Sequence, residues 1–215
     1  MMRHYFVLPF IFLSGCQVLG VAAYKLAPPE TIKPKYVGLD GQSVGIMVWA
    51  DRAVRIDWPT LQIDLANTTQ NWFLADQKKK KEGATLKGTT FPVLPASIVR
   101  YQHDHPEIEA MSVTEVATKL GVSRLIYVEI EDFATRSDDS VALFRGRAKA
   151  TVKVIEVSGD QAKVAFELNN VETAFPPKAP KEGIPNAGDA KIYSGLIDSF
   201  ATEIVHVFVA YQVEE

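Results

Sequence analysis

The chain has 215 residues, 47% of them hydrophobic, 23% charged and 10% aromatic, with a formal charge of −3. This composition excludes a disordered, collagen-like or low-complexity protein, and the small negative charge excludes electrostatic steering onto nucleic acid. The length fits one domain with appendages, large enough to bury roughly 70% of its unfolded surface without staples.

Arg3 and His4 precede an apolar run, Tyr5–Leu13 (YFVLPFIFL), that leads into Leu13-Ser14-Gly15-Cys16. A basic start, a short apolar centre and small residues at a cleavage point describe an export signal. The run is far short of the roughly 20 apolar residues a spanning helix needs, and Pro9 interrupts it. Leu-Ser-Gly-Cys resembles the bacterial lipobox, in which the cysteine thiol is acylated and becomes the new first residue. Residues 1–15 therefore read as a lipoprotein signal peptide and Cys16 as a lipidation site that ties the chain to a lipid bilayer. Gln17, in place of the inner-membrane-retaining Asp, favours the outer membrane on its periplasmic face, with the inner membrane as the other destination. Cys16 is the only cysteine, so the mature domain is expected to hold no disulfide, Cys₄ zinc site or thiol nucleophile. Removing residues 1–15 takes away Arg3 alone, leaving 22 Lys and Arg against 26 Asp and Glu, a formal charge of −4.

Residues 16–42 hold Pro28, Pro29 and Pro34 without a sustained period and read as a tether. At ~5–6 Å × √n, some 26 residues reach about 28 Å. The periplasmic domain is expected over 43–215. Ser43–Ala50 (SVGIMVWA) is a buried-strand pattern. Asp57 and Pro59 predict a helix start, with Leu61, Leu65, Thr69 and Trp72 on one face and an end near Asp76. Phe91–Tyr101 looks extended and, with two prolines, edge-like. Ser112-Val113-Thr114-Glu115 is a capping box opening a helix that Gly121 closes. Arg124–Phe133, Ala142–Val157 and Ala162–Val171 alternate apolar and polar at period 2, the last two joined by Ser158-Gly159-Asp160. Pro176–Asn186 is an irregular loop. From Asp189 a long helix carries Ile192, Leu196, Phe200, Ile204 and Phe208 as its buried stripe. The order is β-α-β-α-β-β-β-α: a single α+β domain, a small mixed sheet with packed helices.

The opening strand VGIMVWA, the helix ending in Thr118-Lys119-Leu120-Gly121-Val122-Ser123, and the strand Arg124–Ile130 after it resemble a fold group of envelope proteins. Its members are the curli-secretion lipoprotein, the outer-membrane lipoprotein activators of penicillin-binding proteins, and the amino-terminal domain of the Tol-system propeller protein. The resemblance covers about residues 43–211 and implies a lipid-anchored, non-catalytic protein-binding module of the envelope, without a cofactor. Its partner would be an envelope protein of an assembly, secretion or wall-synthesis system. The Thr135–Val141 turn is too short for a membrane-crossing hairpin, whose strands need about 9–11 residues.

His103-Asp104-His105 is the only cluster of metal-ligand types. Two residues apart in a strand, His103 and His105 would share a face and could meet one Zn²⁺, with a third ligand from Glu107, Glu109 or His206. The segment precedes Pro106 and reads as a solvated loop. HExxH, P-loop and GxGxxG motifs are absent from the sequence. Lys78, Lys79, Lys80 and Lys81 read as a solvated run after a helix, or as a contact for anionic headgroups or anionic glycan, at about 1 kcal/mol per Lys. Trp49, Trp58 and Trp72 are expected in the core, and the loop Phe175–Pro185 is either a partner surface or a plain connection. The expected function is a lipid-anchored protein-binding accessory. A homo-oligomeric, structural or pore-associated lipoprotein is the first alternative, and a metal-binding enzyme the second.

Overall fold

The computed structural model describes residues 30–79, 86–137 and 140–212. The chain separates into two units. Residues 1–32 with 212–215 form one, whose described part holds the two-residue strand β1 (Thr31–Ile32). Lys33–Tyr211 form the other and carry the sheet and helices. The last strand, β6 (Tyr211–Gln212), ends the described chain.

The main sheet has the order β2-β3-β4-β5. β2 (Val44–Ala50) runs parallel to β3 (Arg124–Ser137), with Val44 opposite Arg124 and Ala50 opposite Ile130. β3 is antiparallel to β4 (Ser140–Ser158), and β4 to β5 (Gln161–Phe175). A parallel neighbour needs a crossover. It is supplied by α1 (Arg52–Asp57), α2 (Leu61–Lys78), α3 (Pro95–Asp104), a 3₁₀ turn (Pro106–Ala110) and α4 (Val113–Lys119). α5 (Asp189–His206) follows the hairpins. The fold is thus the mixed α+β domain that the sequence predicts.

Period-2 alternation divides the core. Val44, Ile46, Val48 and Ala50 join Ile126, Val128, Ile130, Val152 and Val154 in one buried cluster, with Leu61, Leu65 and Phe73 of α2 and Leu196, Phe200 and Ile204 of α5. The opposite face puts Met47, Leu125, Tyr127 and Ile155 against Ile98 of α3, Val116 and Ala117 of α4, and Leu120 just past it. β2 is covered on both faces, which is why it reads as a nearly unbroken apolar run. All five residues of the terminal stripe, Ile192, Leu196, Phe200, Ile204 and Phe208, are buried. The capping box forms as expected: Ser112 Oγ accepts from Glu115 N–H, Glu115 Oε2 accepts from Ser112 N–H, and Gly121 takes φ +68° just past the helix.

Four local expectations are corrected. Asp57 ends α1 instead of starting a helix: Asp51 Oδ1 caps that turn by accepting Val54 N–H at 2.8 Å, and Pro59 separates it from α2. On α2 the buried aromatic is Phe73, whereas Trp72 is 37% exposed and donates Nε1–H to Asp198 Oδ1 at 3.1 Å. The extended piece in Phe91–Tyr101 gives way to α3, which opens at Pro95, where a missing N–H costs nothing and a fixed φ suits the first turn. Strand-like pairing there is confined to the bridge between Thr90 and Ser43. Finally, the body starts inside the expected tether: Lys35 and Tyr36 donate backbone N–H to Val207 O, and Leu39 is 1% exposed.

Gly195 brings α5 against β5. A Cβ there would overlap the Phe175 ring. Alanine gains about 1 kcal/mol of helix propensity, but forcing atoms into a packed contact costs about 1–3 kcal/mol. Gly195→Ala is therefore expected to lower the denaturation midpoint, contrary to propensity alone; a chemical-denaturation curve checks it.

Candidate functional site

The outer sheet face beyond Tyr127 carries polar residues. Lys153 Nζ lies 3.2 Å from Glu129 Oε2 and 3.9 Å from Glu167 Oε1, and Lys149 Nζ lies 3.0 Å from Glu131 Oε2. The Thr151 hydroxyl is within hydrogen-bond distance of Glu131 Oε1 (2.6 Å) and Asn169 Oδ1 (2.9 Å). Those contacts, Thr151 first and then Lys149, hold the Glu131 carboxyl below its ordinary pKa. Register explains the lattice: Glu129 pairs with Thr151 across β3–β4, and Lys153 with Glu167 across β4–β5. Each such exposed pair adds little stability. Together they fix long side chains of both signs on a sheet face whose edge strand, β5, has one neighbour in the sheet among the described residues.

At the far end of β3 a cavity of about 360 Å³ is lined by Asp57, Trp58, Phe133, Thr135, Arg136 and Asp189. Trp58 stacks on Tyr193 (5.5 Å, 18°) and meets Phe133 edge-on (5.3 Å, 69°). Tyr193 Oη donates to Asp64 Oδ2 at 2.8 Å, and burial pushes its phenol further above the usual value, so it stays a protonated donor. Asp189, the first residue of α5, accepts from Arg136 Nε at 3.1 Å and Thr135 Oγ1 at 2.7 Å, while the guanidinium lies 4.7 Å from the Phe144 ring centroid. This is a clamp of α5 onto β3.

The hydrogen bonds from Arg136 and then Thr135 hold the Asp189 carboxyl below its ordinary 3.8. A folded pKa below the unfolded one contributes stability that is full above the unfolded value and lost as pH falls through the folded one. Wild type should therefore lose stability below about pH 4 more steeply than Asp189→Asn; melts between neutral and acid pH check this.

Of the sites predicted from sequence, Cys16, Lys80 and Lys81 lie outside the described residues. Lys78 and Lys79 end α2, exposed, with Lys79 Nζ 3.8 Å from Asp76 Oδ1. His103 is in the last turn of α3 and His105 is the non-helical residue just after it, so the pair straddles a helix end and does not lie on a strand. Their partners differ: His105 Nδ1 lies 2.9 Å from Glu107 Oε1, and His103 Nδ1 3.4 Å from Asp104 Oδ1. Glu109 pairs with Arg55, and His206 stacks on Tyr211 with centroids 3.6 Å apart. Among the described residues, no three His, Cys, Asp or Glu side chains are grouped to hold a metal ion. His103→Ala with His105→Ala is expected to shift stability by no more than about 0.5 kcal/mol, measured by thermal melt.

The sequence did not single out Glu129, Lys149, Thr151, Lys153 or Asn169. Their period-2 placement was a usable signal, since β3 and β4 were both recognised as alternating strands. The Trp58–Tyr193–Phe133 cluster joins three distant segments and had no local signature.

No model of a protein family matches the chain, and no curated protein matches it. Among solved structures, the chain is similar to a PelC dodecamer from Paraburkholderia phytofirmans, at 8% identity and a TM-score of 0.42, over 87% of this chain and 99% of that one. A PelC variant dodecamer from the same organism is similar at 10% identity and a TM-score of 0.40, over 83% and 98%. At these values neither likeness bears on the chemistry or assembly of this chain.

Proposed function

We propose that the chain is a lipid-anchored lipoprotein of the bacterial envelope, held by acylated Cys16 at the periplasmic face of the outer membrane. Its body is a non-catalytic module that binds another envelope protein. The observation that carries this reading is Leu13-Ser14-Gly15-Cys16 behind the apolar run Tyr5–Leu13, with the only cysteine of the chain at that position. The outer sheet face supports the binding role. A lattice of paired Glu, Lys, Thr and Asn groups offers charges of both signs and hydrogen bonding, which suits the polar surface of a folded partner.

A photo-crosslinking residue at Glu167, whose side chain is 46% exposed, tests the binding role in the intact envelope. Asn71, exposed on α2, serves as the control position. A discrete adduct with a different protein from position 167 and none from 71 supports the reading. Adducts at multiples of the chain's own mass would replace it with the homo-oligomeric reading, and no adduct from 167 would contradict both.

A further inference from the structure

Three separate segments bring lysines to one end of the body. Lys33 and Lys35 are exposed and alternate with the half-buried Pro34 and Tyr36; Val37, 68% exposed, continues the exposed side. Lys35 sits at the carboxyl end of α5, where its N–H donates to Val207 O and its charge acts on Glu203. Lys78 and Lys79 are exposed at the end of α2, and Lys79 acts on His206, one turn along α5 from Glu203. Lys87 is exposed in a turn held beside the end of α2 by Gln77 Nε2, which donates to Leu86 O and Thr89 O. Gly41 N–H donates to Lys87 O, tying the same turn to the incoming chain.

Three acids lie against these five lysines, and Glu156, paired with Arg124 and Lys163, lies beside Tyr36. Asp40 Oδ1 accepts Lys87 N–H, Asp76 faces Lys79, and burial pushes the Glu203 carboxyl up while Lys35 pulls it down. This is also the end where the chain from Cys16 joins the body. Sixteen residues separate Cys16 from Lys33, which span no more than about 60 Å even if fully extended. The 18 residues of α5 put its other end, with Lys178 and Lys181 in the loop before it, about 27 Å away.

We propose that the end bearing Lys33, Lys35, Lys78, Lys79 and Lys87 docks on an anionic phospholipid surface, that of the bilayer holding the acylated cysteine. Each lysine near such a surface strengthens partition about fivefold, and exposed Val37 adds apolar contact at the headgroup level. The proposal takes the identity of the membrane from the anchored reading. The attraction itself needs no acyl group, so the two ideas fail separately.

The experiment uses the chain from residue 16 onward carrying Cys16→Ser, floated with vesicles of phosphatidylcholine, with and without one quarter phosphatidylglycerol. The expected result is flotation with the phosphatidylglycerol vesicles at low salt and release at high salt, where the screening length shrinks to a few ångströms. Lys35→Gln, Lys79→Gln and Lys87→Gln together should lower the partition coefficient on the order of 100-fold. Lys178→Gln with Lys181→Gln should leave it nearly unchanged, and circular dichroism should show every variant folded. The proposal is overturned by equal flotation with phosphatidylcholine alone, by no flotation with the anionic vesicles, or by an equal loss in the Lys178/Lys181 variant.

Discussion

Phe200→Ala should destabilise the domain by roughly 3–5 kcal/mol, a large share of the 5–15 kcal/mol that holds a typical domain together. The ring is 0% exposed at the middle of α5, in the same cluster as Ile126, Val128, Val152 and Val154 of the sheet. Removing it costs the transfer free energy of the ring, and it leaves a cavity between α5 and β-strands that cannot collapse freely. Asp198→Ala, on the outer side of the same helix, loses one exposed hydrogen bond from Trp72 and should stay within about 0.5 kcal/mol. Urea or thermal melts of both variants separate this core role from a stripe used to bind a partner or membrane. If Phe200→Ala melts like wild type, the helix is not the keystone of this core.

Much of the architecture was legible because local signals agreed. Period-2 alternation marked β3, β4 and β5, and Ser112 with Glu115 announced a helix start whose reciprocal hydrogen bonds are present. The failures have local causes. Asp51 caps a separate six-residue turn that ends at Asp57, and that turn buries no residue whose pattern would announce it. Pro95 fits an edge strand, but a proline serves equally well as the first residue of a helix. Phe73 replaced Trp72 because the buried residues Leu61, Leu65, Thr69 and Phe73 follow a four-residue ridge. That ridge turns by ~40° at each step and leaves Trp72 on its flank.

The candidate surfaces were less legible, for a different reason. Glu129, Lys149 and Lys153 are ordinary surface charges until register places Glu129 beside Thr151 and sets Lys153 between Glu129 and Glu167. Register itself shifts between Ile130 and Asp132 and between Ala150 and Val152, and no one-dimensional pattern reveals where. Likewise Lys78 and Lys79 stood out as a run, whereas Lys33, Lys35 and Lys87 join them only through the carboxyl end of α5 and the turn beside α2. The histidines err the other way. Their spacing suits two ligands on a strand, but they straddle a helix end, and each ring meets a different carboxylate.

The anchor is the largest functional expectation. A thiol at Cys16 can form the thioether to a lipid, and it is the only thiol in the chain. Cys16→Ser leaves a hydroxyl that cannot form that linkage, so acylation should vanish outright, with the folded body untouched. Lysines at the joining end would still give salt-sensitive adhesion, so fractionation belongs after a wash at about 1 M salt, where screening acts over about 3 Å. The deciding measurement is labelling of the full chain with radioactive fatty acid in growing bacteria, followed by that wash and sedimentation of membranes. The account predicts label and sedimentation for wild type and neither for Cys16→Ser. A wild-type chain without label, or a serine variant that carries label and still sediments, would contradict it.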